Sequence, residues 1–247
     1  MLCTEAFLPL VADRRKPAKR TMTYQVIFCG TDGVLIASDK LEAIYRDDGT
    51  LAPGNPTNKI RISAEFAWTY SGGDLAKVYA EHLSRNIGGL AGATEEELLE
   101  SFERFRQPVL EKWRETTEGR SGPANKILFV QGSTQNIFRI DALTFGSTDK
   151  LPKRGIGGQI SNTASFLVHR IYSPSMSVKA LVPLAAYAIR TASLFDSSAV
   201  AGLDIAVYRN SEPEAGFRFL DAEPYMNCVE TIEDEMRELF ARLADRF

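Results

Sequence analysis

Two consecutive apolar runs near the beginning of the chain constrain its fold more than any other feature. The runs are Thr23–Gly30 and Val34–Ser38, and the segment Thr31–Gly33 between them carries an Asp-Gly pair typical of a tight hairpin turn. Their apolar residues are adjacent rather than alternating, so both faces of each strand must be covered by other parts of the protein. The sequence therefore predicts a hairpin in the interior of a layered fold.

The rest of the chain alternates between blocks of strands and blocks of helices. Two more short strands are predicted over Lys59–Ser63 and Phe66–Tyr70. Further hairpins are predicted for Lys126–Gln131 with Ile137–Leu143 and for Leu203–Arg209 with Phe217–Leu220. The helices predicted are Leu75–Ser84, Thr94–Trp113, Thr163–Ile171, Val178–Phe195 and Val229–Phe247. Tyr45–Asn58 is predicted as a loop, and Arg154–Ser161 as a glycine-rich segment before the third helix. This order indicates sheets that pack on each other and whose outer faces are covered by helices.

Composition and charge exclude several classes of partner. The 247 residues carry a formal charge of −3, with no basic stripe of the kind that nucleic-acid-binding proteins have. The longest apolar run, Ala180–Ile189, has about half the length of a membrane span. Three widely separated cysteines suit a reducing compartment, and two histidines leave little material for a metal site. We therefore expect a cytoplasmic protein with no metal, no cofactor, no nucleic-acid partner and no membrane contact.

The first 22 residues differ in charge from the rest of the chain. They carry five basic and two acidic side chains, whereas the other 225 residues carry 24 basic and 30 acidic ones. The basic residues follow the short apolar stretch Ala6–Ala12, whereas in a secretory signal they precede it. We interpret residues 1–22 as an N-terminal extension. It is either a propeptide or a stretch included because the translation start is assigned too far upstream. Residues 23–247 are expected to form a single domain.

The stretch Met22–Lys40 resembles the opening of proteasome β-type subunits and of their simpler bacterial relatives, which are N-terminal-nucleophile (Ntn) hydrolases. Mature chains of that family begin with a threonine, a strand, an Asp-Gly turn, a second strand and an acidic residue. Thr23 and Asp39 stand at the family interval, and Lys59 opens a Lys-hydrophobic-x-x pattern that matches the family lysine. The resemblance covers most of residues 23–210 and implies an α+β fold, the four-layer αββα sandwich of the Ntn hydrolases.

The resemblance also implies a reaction and a role for each matching residue. Thr23 would supply its hydroxyl as the nucleophile and, as the first residue, its α-amine as the base. Lys59 would act as a cation that favours the alkoxide, and Asp39 would hold Lys59 in place and keep it charged. Gly72 and Gly73 lie just before the first predicted helix. A backbone N–H at one of them would stabilise the tetrahedral oxyanion.

Other residues match the family pattern less closely. Asp196 corresponds to an aspartate that supports the terminal amine, but the serine expected three positions later is Ala199, with Ser198 displaced by one. Ser161 is the nearest candidate for a second hydroxyl donor, after a glycine-rich run. Asp196 is therefore predicted among the catalytic residues, and Ser161 and Ser198 are predicted as hydroxyl support.

The amine of Thr23 is free only when no residue precedes it. Autolysis in the family usually follows glycine, whereas the residue before Thr23 is Met22. A start at Met22, followed by removal of the methionine, is the route by which the simpler bacterial relatives mature. We favour it because residues 1–21 show neither fold periodicity nor a targeting pattern. The first residue of the native protein is therefore predicted to be Thr23.

The favoured hypothesis for function is a threonine-type endopeptidase that assembles into a homo-oligomeric ring and hydrolyses peptides or unfolded proteins in an enclosed chamber. The resemblance allows an ATP-dependent unfoldase as a further partner. The alternative is a catalytically inactive structural ring or scaffold subunit of the same fold, which the altered serine positions favour. A third hypothesis is an amide hydrolase of the same nucleophile type acting on a small metabolite, for which the sequence shows no polar pocket signature.

Overall fold

The computed structural model describes residues 23–45, 51–72, 74–117, 125–142, 148–158, 163–195, 197 and 200–244, so the predicted extension at residues 1–22 lies outside the described residues. It shows a mixed α/β protein that combines antiparallel sheets with helices. The strands are β1 (Tyr24–Gly30), β2 (Gly33–Ser38), β3 (Leu41–Tyr45), β4 (Leu51–Pro56), β5 (Ile60–Ser63), β6 (Phe66–Ser71), β7 (Lys126–Gln131), β8 (Asn136–Asp141), β9 (Thr148–Leu151), β10 (Arg154–Gly158), β11 (Asp204–Arg209) and β12 (Arg218–Leu220). The helices are α1 (Asp74–Asn86), α2 (Glu95–Thr117), α3 (Thr163–Ile171), α4 (Val178–Phe195) and α5 (Glu223–Ala244).

The strands form two larger sheets and one hairpin sheet. The first five-stranded sheet has the order β10-β1-β2-β11-β12, the second has the order β5-β6-β7-β8-β9, and β3 pairs with β4. The hairpins predicted from the sequence are confirmed. The two short strands predicted over Lys59–Ser63 and Phe66–Tyr70 pair with each other as β5 and β6. In the β1–β2 hairpin Gly30 lies opposite Gly33, and every residue of both strands is buried. The predicted interior hairpin is thereby confirmed.

Buried apolar side chains of the described residues group into three clusters. One contains residues of β1, β2 and β11 together with residues of α3 and α4. Another joins α1 and α2 to strands β6, β7 and β8, and includes the edge-to-face pair Phe102 and Phe129 with ring centroids 4.8 Å apart. The third contains residues from both five-stranded sheets, such as Ile36 and Leu128. The β1–β2 hairpin therefore has apolar contacts on both of its faces.

Helix α4 is tied to the turn of this hairpin. Val178 N–H donates a hydrogen bond of 2.6 Å to Asp32 Oδ1, so the β1–β2 turn supplies an acceptor for the first turn of the helix. By length and composition α4 could span a membrane, since its 18 residues have a mean hydropathy of 1.3. However, 56% of it is buried inside the protein, where it packs in the cluster that contains β1 and β2.

Helix ends follow local signals in two informative cases. The predicted capping box is confirmed, because Thr94 N–H donates to the Glu97 carboxylate at 2.7 Å and Glu97 N–H donates to Thr94 Oγ1 at 3.4 Å. Helix α5 begins at Glu223 rather than at the predicted Val229. Pro224 is compatible with this earlier start, because a helix tolerates proline in its first turn.

The segment that the sequence predicts as a loop contains a strand. Leu51–Pro56 forms β4 and pairs with β3 in an antiparallel hairpin. The composition of β4 argues against a strand, because Pro53, Gly54 and Pro56 have low strand propensity. A two-stranded sheet has only edge strands, and an edge strand accommodates proline because half of its backbone N–H groups need no partner.

The glycine-rich segment Arg154–Gly158 is also a strand, β10, and it pairs with β1 along the whole of Tyr24–Phe28. Glycine lowers strand propensity, which explains why the sequence pattern does not indicate it. The glycines are needed because neighbouring groups approach closely. A Cβ atom at Gly157 would lie 2.7 Å from Gln25 Oε1, and one at Gly155 would lie 3.2 Å from the side chain of Ile137.

Candidate active site

The ammonium group of Lys59 joins three polar groups in the interior of the protein. Its Nζ donates hydrogen bonds to Thr23 Oγ1 at 2.9 Å, to Asp39 Oδ2 at 2.8 Å and to the carbonyl oxygen of Leu41 at 2.6 Å. An ammonium group has three donors, so Nζ is fully satisfied. Thr23 and Lys59 are each 2% exposed and Asp39 is 0% exposed. Three side chains predicted as site residues therefore lie in one buried network.

The β1–β2 hairpin holds Asp39 beside Thr23. Asp39 follows β2 directly, and its N–H donates to the carbonyl oxygen of Tyr24 at 3.1 Å. Its Oδ1 accepts a hydrogen bond from Tyr24 N–H at 2.9 Å, and its Oδ2 accepts one from Leu41 N–H at 3.1 Å. The carboxylate is thus fixed by the backbone on both sides, at a position set by the hairpin register.

The segment that contains Asp39 is also tied to the loop that carries Lys59. Lys40 N–H donates to the carbonyl oxygen of Ala201 at 2.8 Å, and Thr57 N–H donates to the carbonyl oxygen of Lys40 at 2.6 Å. Thr57 precedes Lys59 by two residues, and Ala201 lies in the segment that leads into β11. These backbone bonds fix the distance between the two charged side chains independently of their ion pair.

Burial dominates the electrostatics of the ion pair. Loss of water raises the pKa of Asp39 to about 6, against the opposing effects of the Lys59 ammonium and the two backbone N–H donors. The same burial lowers the pKa of Lys59, against the attraction of Asp39 and a smaller contribution from Glu42. Each charge is stable in the interior only because the other is present.

Strand β10 brings a glycine against the backbone of Thr23. Gly158 lies opposite Tyr24 and has a φ of +77°. A Cβ atom at this position would lie 1.7 Å from the carbonyl oxygen of Thr23, a distance that non-bonded atoms cannot reach. Glycine at 158 is therefore a condition for the observed position of Thr23.

We expect Gly158→Ala to lower the free energy of unfolding by about 2–4 kcal/mol, because backbone strain at positive φ adds to the displacement of Thr23. Gly92→Ala is the matched control. Gly92 has a φ of +73°, but nothing lies within 4 Å of an added Cβ, so only the strain of about 1–2 kcal/mol remains. Urea unfolding measures both values. Equal losses in the two variants would show that the contact with Thr23 has no effect.

Gly72 is a further predicted site residue that the structure describes. It follows β6, is half-buried and has a φ of +108°, a conformation that favours glycine. Thr69 lies opposite Ile60 in the antiparallel pair. The end of β6 and the residue Lys59, which precedes β5, therefore lie at the same end of these two strands. Four other predicted site residues lie outside the described residues and stay predictions: Gly73, Ser161, Asp196 and Ser198.

Some groups at this site are not predicted from the sequence. The carbonyl oxygen of Leu41 accepts a hydrogen bond from Lys59, and that of Ala201 accepts one from the N–H of Lys40, next to Asp39. Every residue has a carbonyl group, so no residue type in the sequence indicates these two. For Gly158, the two adjacent glycines at 157 and 158 are the available signal of a close backbone approach. The described residues contain no group of three or more His, Cys, Asp or Glu side chains that could hold a metal ion.

The architecture matches solved structures of Anbu (ancestral beta-subunit) proteins. Anbu from Yersinia bercovieri matches with a TM-score of 0.70 and 14% identity, over 88% of this chain and 96% of that chain. A Gly-1 mutant of Anbu from Hyphomicrobium sp. strain MC1 matches with a TM-score of 0.66 and 15% identity, over 89% and 96%. The fold is that of Anbu. Anbu from the same Hyphomicrobium strain also matches, with a TM-score of 0.61 and 15% identity, over 88% and 97%. At this identity the likeness is one of fold.

The predicted membership in the family of proteasome β-subunits and their simpler bacterial relatives is wrong. No family model matches the chain, and no curated protein sequence matches it. Solved structures that match include the three Anbu structures, at 14% to 15% identity. The resemblance depends on a few positions, chiefly Thr23, Asp39 and Lys59, whereas the fold depends on apolar patterns that many different sequences satisfy.

Proposed function

We propose that this protein is a peptidase whose nucleophile is the hydroxyl of Thr23. The observation that carries the proposal is the 2.9 Å contact between Lys59 Nζ and Thr23 Oγ1 in a buried site. A buried lysine and aspartate stabilise a fold little, because removing both from water offsets most of their attraction. A network that is costly to bury and aimed at a hydroxyl is the kind of arrangement that activates a nucleophile.

The proposed reaction uses Thr23 twice. Its Oγ1 attacks the carbonyl carbon of the scissile bond, and the hydroxyl proton passes to the terminal α-amine, directly or through water. Lys59 stabilises the negative charge that develops on Oγ1, and the N–H of Gly72 or Gly73 stabilises the oxyanion. As the C–N bond breaks, the leaving amine takes the proton from the α-amine. Water then hydrolyses the ester on Oγ1 and releases the acid, which restores the hydroxyl.

The proposal requires Thr23 to be the first residue of the working protein, so that the functional unit is the single domain 23–247. In this form the α-amine would be held by Asp196 and by the hydroxyl groups of Ser161 and Ser198. The Asp39 carboxylate does not compete for this role, since its two oxygens are occupied by Lys59 and by two backbone N–H groups.

The proposal also includes a four-layer αββα arrangement. Support comes from the cluster shared by the two five-stranded sheets and from the two clusters that join each sheet to helices. We further propose that copies of the chain assemble in the cytoplasm into a ring that encloses the sites. Its substrates would be peptides or unfolded proteins, with an ATP-dependent unfoldase as a further partner.

An inactive scaffold subunit of the same fold is the second candidate. The observation that favours it is that the Asp39–Lys59 pair connects the end of β2 to the residue before β5, which would hold the two sheets together whether or not Thr23 reacts. The two candidates differ in what they require of the terminal amine, because only the peptidase needs it to be free.

The test compares a chain that begins at Thr23 with a chain that keeps residues 1–22, using a series of fluorogenic peptides. We expect hydrolysis only from the chain that begins at Thr23, because only its α-amine can accept the proton. Equal activity of the two chains would contradict the proposed base. Oligomers without activity from either chain would favour the scaffold.

Protonation of Asp39 is expected to add a fall in peptide hydrolysis of about tenfold for each pH unit below about 6, beyond the fall that protonation of the α-amine causes from about pH 8 downward. The pKa of Asp39 is about 6, and a protonated Asp39 no longer supports the charge of Lys59. Because this pKa is raised in the folded state, protonation of Asp39 favours folding, and its contribution to stability is lost only as pH rises through about 6. Activity should therefore fall on the acid side while circular dichroism shows an intact fold. A loss of activity that coincides with unfolding would contradict this cause.

A further inference from the structure

Gln25 is a polar side chain buried between the two five-stranded sheets. It is 0% exposed and belongs to the face of β1 that contributes to the cluster shared by the sheets. Its Nε2 donates a hydrogen bond to the carbonyl oxygen of Tyr70. Gln25 follows Thr23 by two residues, and Tyr70 precedes Gly72 by two residues. The amide therefore links the strand that carries the proposed nucleophile to the strand that ends at the proposed oxyanion site.

The protein retains this amide at a cost in stability. The Oε1 atom of Gln25 is buried and has no hydrogen-bond partner among the described residues. An unpaired buried polar atom is unfavourable, and an apolar side chain of similar volume would avoid it. Strand β10 nevertheless leaves space for the amide, since a Cβ atom at Gly157 would lie 2.7 Å from Oε1. A buried group that breaks the apolar pattern next to a site is expected to serve that site.

The contact with Tyr70 explains why the residue is glutamine. The partner atom is a carbonyl oxygen, which only accepts hydrogen bonds, so position 25 must supply a donor. Glutamate would place a carboxylate oxygen against the carbonyl, and methionine would leave the carbonyl without this bond. Gln25 therefore combines the length needed to cross between the sheets with the required N–H group.

We propose that Gln25 is a positioning residue that fixes the Tyr70–Gly72 segment relative to Thr23, and with it the N–H group that stabilises the oxyanion. This inference rests on the proposed function. An oxyanion donor is effective only at about 3 Å from the position that the oxyanion will occupy, so the donor strand must be held in register with the nucleophile. The Gln25–Tyr70 bond is a direct side-chain link between these two strands.

Gln25→Met in the chain that begins at Thr23 tests the proposal, because methionine keeps the length and volume of the side chain and removes the donor. We expect kcat to fall by about 10- to 100-fold with little change in KM. The affinity for a peptide aldehyde, whose adduct carries the oxyanion, should fall by a similar factor. The rate at which a peptide vinyl sulfone labels Thr23 should change by less than about threefold, because this reagent is attacked at a carbon–carbon double bond and forms no carbonyl oxyanion.

Thr69→Val is the matched control. Thr69 precedes Tyr70 on β6, is 0% exposed, and its Oγ1 has no hydrogen-bond partner among the described residues. Valine has the same shape, so this variant removes a buried polar atom from the same strand and leaves the Gln25–Tyr70 bond in place. Its kcat and its affinity for the aldehyde are expected to equal those of the unsubstituted chain.

The outcomes separate the positioning role from the proposed function. An equal fold-loss in the affinity for the aldehyde and in the rate of labelling by the vinyl sulfone would overturn the positioning role. An unchanged kcat would also overturn it. If the unsubstituted chain hydrolyses no peptide, the proposed function fails, and amide hydrogen exchange of Tyr70–Gly72 then decides the role of Gln25. Faster exchange in Gln25→Met than in Thr69→Val would support the link between the strands. Equal exchange in the two variants would overturn it.

Discussion

Thr23→Ala is expected to reduce peptide hydrolysis by at least about 10³-fold while the protein stays folded. Alanine removes Oγ1, which lies 2.9 Å from Lys59 Nζ, and with it the nucleophile of the proposed reaction. Lys59 keeps its bonds to Asp39 and to the carbonyl of Leu41, so the free energy of unfolding should fall by only about 1–3 kcal/mol. Hydrolysis of fluorogenic peptides and urea unfolding measure the two effects separately.

Two variants control this experiment. Thr23→Ser keeps a hydroxyl at the same position and should keep part of the activity. Thr31→Ala removes an exposed threonine from the β1–β2 turn, where only the backbone N–H forms a hydrogen bond that the structure shows, and should match the unsubstituted chain. Undiminished hydrolysis by Thr23→Ala would contradict the assignment of the nucleophile.

Lys59→Met is expected to have the second large effect, on stability as well as activity. Methionine leaves the carboxylate of Asp39 buried with only the backbone N–H donors of Tyr24 and Leu41. Removal of one partner from a buried ion pair lowers the free energy of unfolding by about 3–5 kcal/mol. Hydrolysis should fall by at least about 10²-fold, because the charge that favours the alkoxide is lost. Without Lys59 the pKa of Asp39 rises further, so the variant should be more stable in acid than at neutral pH.

A double variant separates the structural role of the ion pair from its chemical role. Asp39→Asn combined with Lys59→Met removes both charges and should recover much of the lost stability but no activity. Lys77→Met is the control for loss of an ordinary ion pair. It breaks the partly exposed contact of 3.0 Å with Glu42, and should change stability by less than about 1 kcal/mol. Full activity of the double variant would show that the buried pair only stabilises the fold.

The sequence indicates the first hairpin and the proximity of Thr23 and Asp39 for a local physical reason. The two β-rich runs and the Asp-Gly turn between them form one hairpin, and a hairpin places the residue before its first strand near the residue after its second. Lys59 is different, because it reaches this pair only when the second sheet packs on the first. Its position is inferred from the family pattern, and the structure shows the contact. The catalytic roles of all three residues stay predictions.

Features that depend on close approach of distant segments could not be predicted. Strand β10 is predicted only as a glycine-rich segment, because glycine carries no strand signal. Its glycines nevertheless allow it to pack on β1 and Thr23. Strand β4 is not predicted, because its prolines have low strand propensity. The carbonyl groups around Lys59 and Asp39 leave no mark in the sequence at all. The family assignment failed for a related reason, since a few matching positions indicate a fold better than they indicate descent.

Covalent labelling of the native protein with a peptide epoxyketone tests the central claim most directly. This reagent forms bonds with both the hydroxyl and the α-amine of an N-terminal threonine, so it reports the nucleophile and the free amine together. We predict one label per chain, found by mass spectrometry on a peptide that begins at Thr23 and absent from Thr23→Ala. A native chain that keeps residues before Thr23 and takes up no label would contradict the claim.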